Sequence, residues 1–433
     1  MTDPHVPDPT AAQPADRPAL AFRLDGRDVE VPDDGSSLLA VLRERLGVRS
    51  AKDGCSPQGQ CGCCTVLVDG QPRVACVTPA RRVRGRSITT LDGLDAADRQ
   101  AWGDAFCATG ASQCGFCTPG IVVRLAGLAA KGAGPDDTAA VEQALLPHLC
   151  RCTGWRTILD AWTAHAAGPG ARATPGRDLD AAARRAAIEG RSPQRVSPDV
   201  ALGHGGFADD TAPDGALVAV PDATGGWAVA PTLAEARAAA GKVQGRRTTV
   251  DVRPPLSLPP GDWAATLRTA WVEPAYLELD ASWCLPGGEP ARPLANGGAF
   301  GGKLATTVTA AARDLADRHG RAVRVVLARE DAVRLGAKRP PVAGGAGADG
   351  TGVLRVAATP GVEAAVAAVA PGLAVEQVAV AGPPTSLDLR AAGWSEAAVL
   401  LAGAGALAAP GAPGVVAAAA TPDHGDVTIR SPD

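Results

Sequence analysis

Eight cysteines in two groups are the residues of this chain most suited to chemistry. The first group is Cys55, Cys61, Cys64 and Cys76. The second pairs Cys114 and Cys117, within Gln113-Cys114-Gly115-Phe116-Cys117-Thr118-Pro119-Gly120, with Cys150 and Cys152 of Cys150-Arg151-Cys152-Thr153-Gly154. Thiolates are soft ligands, and four of them converging from a turn and a second loop can hold iron or zinc. Spacing bears on the choice. Cys55, Cys61, Cys64 and a more distant Cys76 approximate the plant-type 2Fe-2S run, with one residue too many after Cys55. Zinc sites usually come as two C-x2-C knuckles far apart, a pattern that Cys55 to Cys76 does not copy.

Around the first group, Gly54, Gly59 and Gly62 let backbone N–H groups turn inward toward sulfur. Lys52 and the run Arg81, Arg82, Arg84 and Arg86 would offset negative charge at longer range, or form an ordinary solvated face that salt screens. The elements that position these loops follow from hydrophobic period. Leu20, Phe22 and Leu24, the turn Asp25-Gly26, then Val29 and Val31 predict a hairpin. Ser36 or Ser37 caps an amphipathic helix through Leu46, closed by Gly47. Thr65–Val68, Asp69-Gly70 and Arg73–Val77 read as a second hairpin. From Asp95 the pattern turns helical: Ala96–Thr109, Pro119–Ala130, a helix capped by Asp136 or Asp137 through Leu146, and Thr157–Ala164. Cys114 and Cys117 then stand just before a helix, where the dipole favours anionic sulfur. Cys150 and Cys152 stand in the last loop. Cys107, within a helix, reads as a packed core thiol.

The chain has 433 residues and a formal charge of -4, with no Lys/Arg stripe, which argues against a nucleic-acid binder. Its length predicts two to four domains. The first eighteen residues hold five prolines and no apolar stretch with a positive flank. They read as a disordered arm, and the protein as cytoplasmic, where thiols stay reduced. The uncharged run Ala397–Pro422 is mainly Ala and Gly with Pro410 and Pro413 inside, so no membrane span is expected. Gly297–Lys303 falls one residue short of a P-loop, because Leu304 stands where a hydroxyl must meet magnesium. His148, His165, His204 and His319 are scattered and read as ordinary polar residues.

The run Lys52-Asp53-Gly54-Cys55 to Cys61-Gly62-Cys63-Cys64-Thr65-Val66, with the two later cysteine pieces, resembles the iron-sulfur part of the xanthine dehydrogenase and aldehyde oxidase family of molybdenum hydroxylases over roughly Leu20 to Ala166. The resemblance implies that each set of four cysteines binds a 2Fe-2S cluster. It implies an α+β multidomain chain: a disordered arm at 1–18, a ferredoxin-like β-grasp at 19–94 and a four-helix 2Fe-2S domain at 95–167. After a linker at 168–197, the pieces Gly205–Asp210, Val272–Leu277, Asn296–Lys303 and Val323–Glu330 resemble, in order, the first part of that family's molybdopterin-binding subunit. They imply a truncated, partial α/β molybdopterin-binding-like region at 198–408, followed by a tail at 409–433.

By the same resemblance, Gln113 lies toward the pterin, and Gly298, Phe300 and Gly301 belong to a loop that approaches the molybdenum cofactor. The expected role is an iron-sulfur electron-transfer subunit, an oxidoreductase component that passes electrons from a partner's molybdenum site to a flavin or other acceptor. The partners would be a molybdopterin-binding large subunit, sharing its molybdopterin, and an FAD-binding subunit, since no flavin segment is recognisable here. No catalytic residue is assigned: Gly288-Glu289-Pro290 precedes the glycine loop, in the wrong order for the family's catalytic glutamate. The alternative is a non-catalytic scaffold, its clusters (or zinc) structural and its second half degenerate.

Overall fold

The computed structural model describes residues 19–168, 180, 181, 184, 195–241, 253–294, 299–304, 306–406 and 427–429. The arm expected at 1–18 and most of the linker lie outside these residues, as does Gly298.

The first hairpin forms as the alternation predicts. Strand β1 (Ala19–Leu24) turns Leu20, Phe22 and Leu24 inward and pairs antiparallel with β2 (Arg27–Pro32), with Phe22 opposite Val29. Ser37 accepts the Ala40 amide and starts α1 (Leu38–Ala40), which runs on as a π-helical turn, Val41–Arg45. The second hairpin is β3 (Thr65–Val68) with β4 (Gln71–Val74). Its second strand is shorter than the expected Arg73–Val77. The chain leaves the sheet at Ala75–Val77 as a 3-10 turn, because Cys76 must face the cysteine loop and not the ladder. With β5 (Ser87–Thr89) the order is β2-β1-β5-β3-β4, a mixed five-stranded sheet with the helix packed against one side.

Four helices follow: α2 (Ala96–Thr109), α3 (Thr118–Ala129), α4 (Thr138–Leu145) and α5 (Arg156–Ala166). Asp95 caps α2 and Asp137 caps α4, each accepting backbone amides of the first turn. Trp102 of α2 packs on Trp162 of α5 and stacks on the His165 ring at 3.5 Å, while His165 bonds Asp98 at 2.8 Å. Helix α3 is apolar nearly all round, with Ile121, Val122, Val123 and Leu125 buried between the sheet and the bundle. One apolar core therefore serves both cysteine-bearing segments, and it continues past the linker to Ala201 and Phe207. Cys107 is half-buried, packed against this core from its edge, a shallower place than a core thiol would take.

The second half holds two more sheets. β6 (Leu217–Pro221), β7 (Trp227–Ala230), β9 (Asp280–Cys284) and β10 (Val323–Leu327) take the order β7-β6-β10-β9, with helix Val308–His319 across one face. β8 (Ala265–Thr269), β11 (Val342–Ala346), β12 (Gly352–Ala357), β13 (Leu373–Val378) and β14 (Val427–Ile429) take the order β13-β12-β11-β8-β14, backed by helices Val362–Ala367 and Trp394–Gly403. Strand β14 comes from the segment read as a tail; it pairs in parallel with β8. No helix among the described residues is long and apolar enough to cross a membrane.

Candidate metal centre

The first loop is built by the backbone before any ion is considered. Lys52 N–H donates to the Cys63 carbonyl, Thr65 N–H to Gly62, Ala75 N–H to Cys64 and Leu149 N–H to Cys61, so the loop is tied to both the sheet and the helical segment. Gly62 lies at φ +68°, and a Cβ there would sit 2.3 Å from His148 Nδ1 and 2.5 Å from the Pro147 carbonyl. Gly120 abuts the same loop, a Cβ there falling 2.3 Å from the Gly62 carbonyl. Two glycines thus let the helical segment's loops seat directly on the first cysteine loop.

Cys55, Cys61, Cys64 and Cys76 are all buried. Cys55 lies within hydrogen-bond reach of Cys61 and Cys76, and those bonds hold its thiol well below the ordinary range. Cys76 is pushed up by its bonds to Cys55 and Cys64. The Gln58 amide donates to Cys55 Sγ at 3.2 Å and the Cys76 amide to Cys64 Sγ at 3.4 Å, inward-turned N–H groups of the kind the glycines were expected to allow. Cys63 is different. It is fully buried, and its Sγ donates to the Cys61 carbonyl at 3.7 Å.

In the second set, Cys114 lies within hydrogen-bond reach of Cys152, and Cys117 of Cys150. Cys117 caps α3. The Thr153 amide donates to Cys150 Sγ at 3.4 Å, and the Cys150 thiol is lowered to about 6, first by its bond to Cys117. The four thiols line one small cavity of about 10 Å³, with Phe116, Arg151, Leu277 and Glu278. Four thiols converging in two contacting pairs are the donor set that a 2Fe-2S cluster takes, so the residues present fit one. Among the described residues no group of three or more His, Cys, Asp or Glu side chains is arranged around a metal-ion position. A two-iron cluster draws its sulfurs in pairs, one pair per iron. The two sets are neighbours: Phe116 of the second abuts Gly54 of the first, and Cys63 lies within electrostatic reach of Cys150 and Cys117.

Residues that the spacing alone did not single out complete the site. Lys52 is fully buried, donating to the Gly203 carbonyl at 2.8 Å and pairing with Asp210. Arg43, 3% exposed, pairs with Asp209 at 2.7 Å and Asp210 at 3.0 Å. Arg324 of β10 reaches back to Asp209 at 3.2 Å and Glu44 at 2.8 Å. A buried ion network thus joins the ferredoxin-like sheet to the second half, and Lys52 spends its charge there. Arg81, Arg82 and Arg84 are exposed and Arg86 half-buried, with Arg84 paired to Asp33 and Arg86 to Asp69, in keeping with a solvated face. His148 is not an ordinary surface polar residue: it is buried with neither ring nitrogen partnered, and burial lowers it to about 3.

Of the residues expected near a pterin, Gln113 is half-buried beside Cys114. Phe300, at φ +51°, lies under the Arg151 guanidinium at 5.4 Å. Gly301, at φ +89°, packs so closely on the Asp388 carbonyl that a Cβ would fall 1.7 Å from it. Lys303 is buried, its Nζ donating to the Leu279 carbonyl at 2.7 Å and lying 3.4 Å from Glu278, a place no phosphate reaches. Glu278 is buried among the second set's lining with neither oxygen hydrogen-bonded; burial pushes it up to about 7, against the pull of Lys303.

Two family models match these segments: "2Fe-2S iron-sulfur cluster binding domain" over residues 22–82 and "[2Fe-2S] binding domain" over residues 90–163. The chain is 34% identical over 147 residues to a probable xanthine dehydrogenase subunit of Bacillus subtilis (strain 168), covering 34% of this chain and 84% of that one. It is 38% identical over 142 residues to the isoquinoline 1-oxidoreductase subunit alpha of Brevundimonas diminuta, covering 32% of this chain and 91% of that one. The solved aldehyde oxidoreductase of Desulfovibrio gigas shares the fold over 82% of this chain and 57% of its own, at TM-score 0.61 and 20% identity. The chain belongs to the xanthine dehydrogenase and aldehyde oxidase family of molybdenum hydroxylases, and about a third of it matches that family's iron-sulfur subunits. It is an oxidoreductase component with an iron-sulfur electron-transfer role. The likeness to the solved structure extends past the cysteine-bearing segments, so the second half shares that enzyme's mixed α/β fold.

Proposed function

We propose that Cys55, Cys61, Cys64 and Cys76 bind one 2Fe-2S cluster, that Cys114, Cys117, Cys150 and Cys152 bind a second, and that the chain passes electrons from a molybdopterin-binding large subunit toward an FAD-binding subunit or another acceptor. The single observation that carries this reading is the convergence of the four thiols of the second set in two contacting pairs, with the first set packed against it through Phe116 and Gly54. Such a cluster takes up and releases one electron at a time. This chain's residues supply the rest. The Gln58, Cys76 and Thr153 amides donate to sulfur and offset added charge, and the buried apolar walls exclude water. The four segments, at 19–94, 95–167, 198–408 and 409–433, serve as a β-grasp, a helical domain, a partial molybdopterin-binding-like region and its tail. Gln113, Gly298, Phe300 and Gly301 approach a pterin that the large subunit shares. The setting is the cytoplasm, where thiols stay free to ligate metal.

The test is co-expression with a molybdopterin-binding partner and a native pull-down, followed by addition of an aldehyde or N-heterocycle under anaerobic conditions. Electron transfer predicts a molybdenum-containing complex whose iron-sulfur absorbance bleaches on substrate. The close seat of Gly301 on Asp388 favours a second reading, in which the second half closes on itself as a scaffold around structural clusters. A chain that retains no molybdenum protein, with absorbance unchanged by substrate, would establish the scaffold.

A further inference from the structure

The first cysteine loop carries one residue more than the plant-type run, and the structure shows how the surplus is held. Ser56, directly after Cys55, sits at φ +49°, a left-handed conformation that costs a residue with a Cβ about 1 kcal/mol or more. Gly59 takes the other left-handed position, at φ +70° against Val77. Ser56 is buried, and its hydroxyl lies 3.4 Å from Asp53 Oδ2. The group that closes this corner comes from the other half of the molecule. Arg237, on helix Leu233–Ala239, donates to Ser56 Oγ and reaches Asp53 Oδ2 at 3.3 Å. That helix is fixed by its own capping box, Thr232 with Glu235, so the guanidinium is presented from a set position. Asp53 is 6% exposed, its other oxygen has no hydrogen-bond partner, and it lies within electrostatic reach of the Cys55 sulfur.

We infer that Arg237 is a positioning residue for the Cys55 cluster: its guanidinium clamps the lengthened Ser56–Gln60 loop by bridging Ser56 Oγ and Asp53 Oδ2. The inference rests on the reading that Cys55, Cys61, Cys64 and Cys76 hold a 2Fe-2S cluster, and it gives the second half of the chain a part in electron transfer. Arg237 touches no sulfur. Removing its guanidinium releases Ser56 and Asp53 from the second half and loosens the loop that carries Cys55.

The experiment uses the full-length protein and compares wild type with Arg237→Gln, Arg237→Lys and Ser56→Ala. EPR-monitored redox titration of both clusters is combined with hydrogen exchange of the 53–60 amides. Two signals and about four irons in wild type establish the underlying reading; their absence there would defeat that reading before any variant is compared. Arg237→Gln is expected to shift the midpoint potential of the Cys55 cluster, to speed exchange of the 53–60 amides about tenfold, and to leave the Cys114 cluster in place. Arg237→Lys restores most of the shift. Ser56→Ala keeps the potential but speeds loop exchange. Selective loss of the Cys55 signal in Arg237→Gln, with the Cys114 signal kept, also supports the clamp. Equal shifts at both clusters, loss of both, or an unchanged Cys55 potential and exchange would overturn it.

Discussion

Cys63 and Cys64 are adjacent and both buried, yet the structure gives them different work. Cys64 accepts the Cys76 amide and lies within reach of the Cys76 thiol, whereas Cys63 directs its sulfur at the Cys61 carbonyl. Cys63→Ala is therefore expected to leave both iron-sulfur signals in place, and Cys64→Ser to abolish the first; EPR of the dithionite-reduced proteins decides. The glycines are as specific. Gly120→Ala would press a methyl group 2.3 Å from the Gly62 carbonyl at the seat of α3, where the obstacle is backbone and cannot swing aside. A loss of about 2–3 kcal/mol is expected, measured as a lower denaturation midpoint with unchanged m-value. The cysteine sets were legible in the sequence because ligand spacing is local. His148 was not, since only the folded chain brings it against Gly62.

At the scale of elements, both hairpins and all four helices followed from alternation, capping residues and turn pairs, with ends shifted by one to three residues where Cys76 and Cys117 leave the regular pattern to face the site. The contact between the halves was not legible. Gly205–Asp210 drew notice only as a piece of family likeness, but its two aspartates collect Arg43, Lys52 and Arg324, residues 115 to 167 positions away. Burial raises the Asp209 carboxyl, but Arg324 and Arg43 overcome this and hold it below its ordinary 3.8. A depressed carboxylate contributes stability that is complete above the unfolded-state pKa and is lost as pH falls through the lower folded value. The junction should therefore loosen below about pH 4. Asp209→Asn should cost about 3–5 kcal/mol at pH 7, by leaving Arg43 and Arg324 short of charge, and should flatten that acid dependence. Urea melts at pH 7 and in the acid range would show both; equal losses at each pH would contradict the network.

Taken whole, the molecule has one core around its cysteine loops and a second half with cores of its own, joined by buried charge. The sequence disclosed the first part through motif spacing and the second only through scattered likeness, because sheets assembled from distant strands leave little local pattern. Strand β14, paired with β8 from beyond position 400, is the extreme case. The two sulfur sets meet through Phe116, Gly54 and Cys63, an arrangement that serves electron passage only if both sets hold iron. Iron and acid-labile sulfide analysis of the anaerobically purified full-length chain, joined to EPR of its reduced form, examines this most directly. About four irons and four sulfides per chain are expected, with two distinguishable signals that Cys55→Ser and Cys114→Ser remove one at a time. Zinc in their place, or reduced protein without a signal, would contradict it.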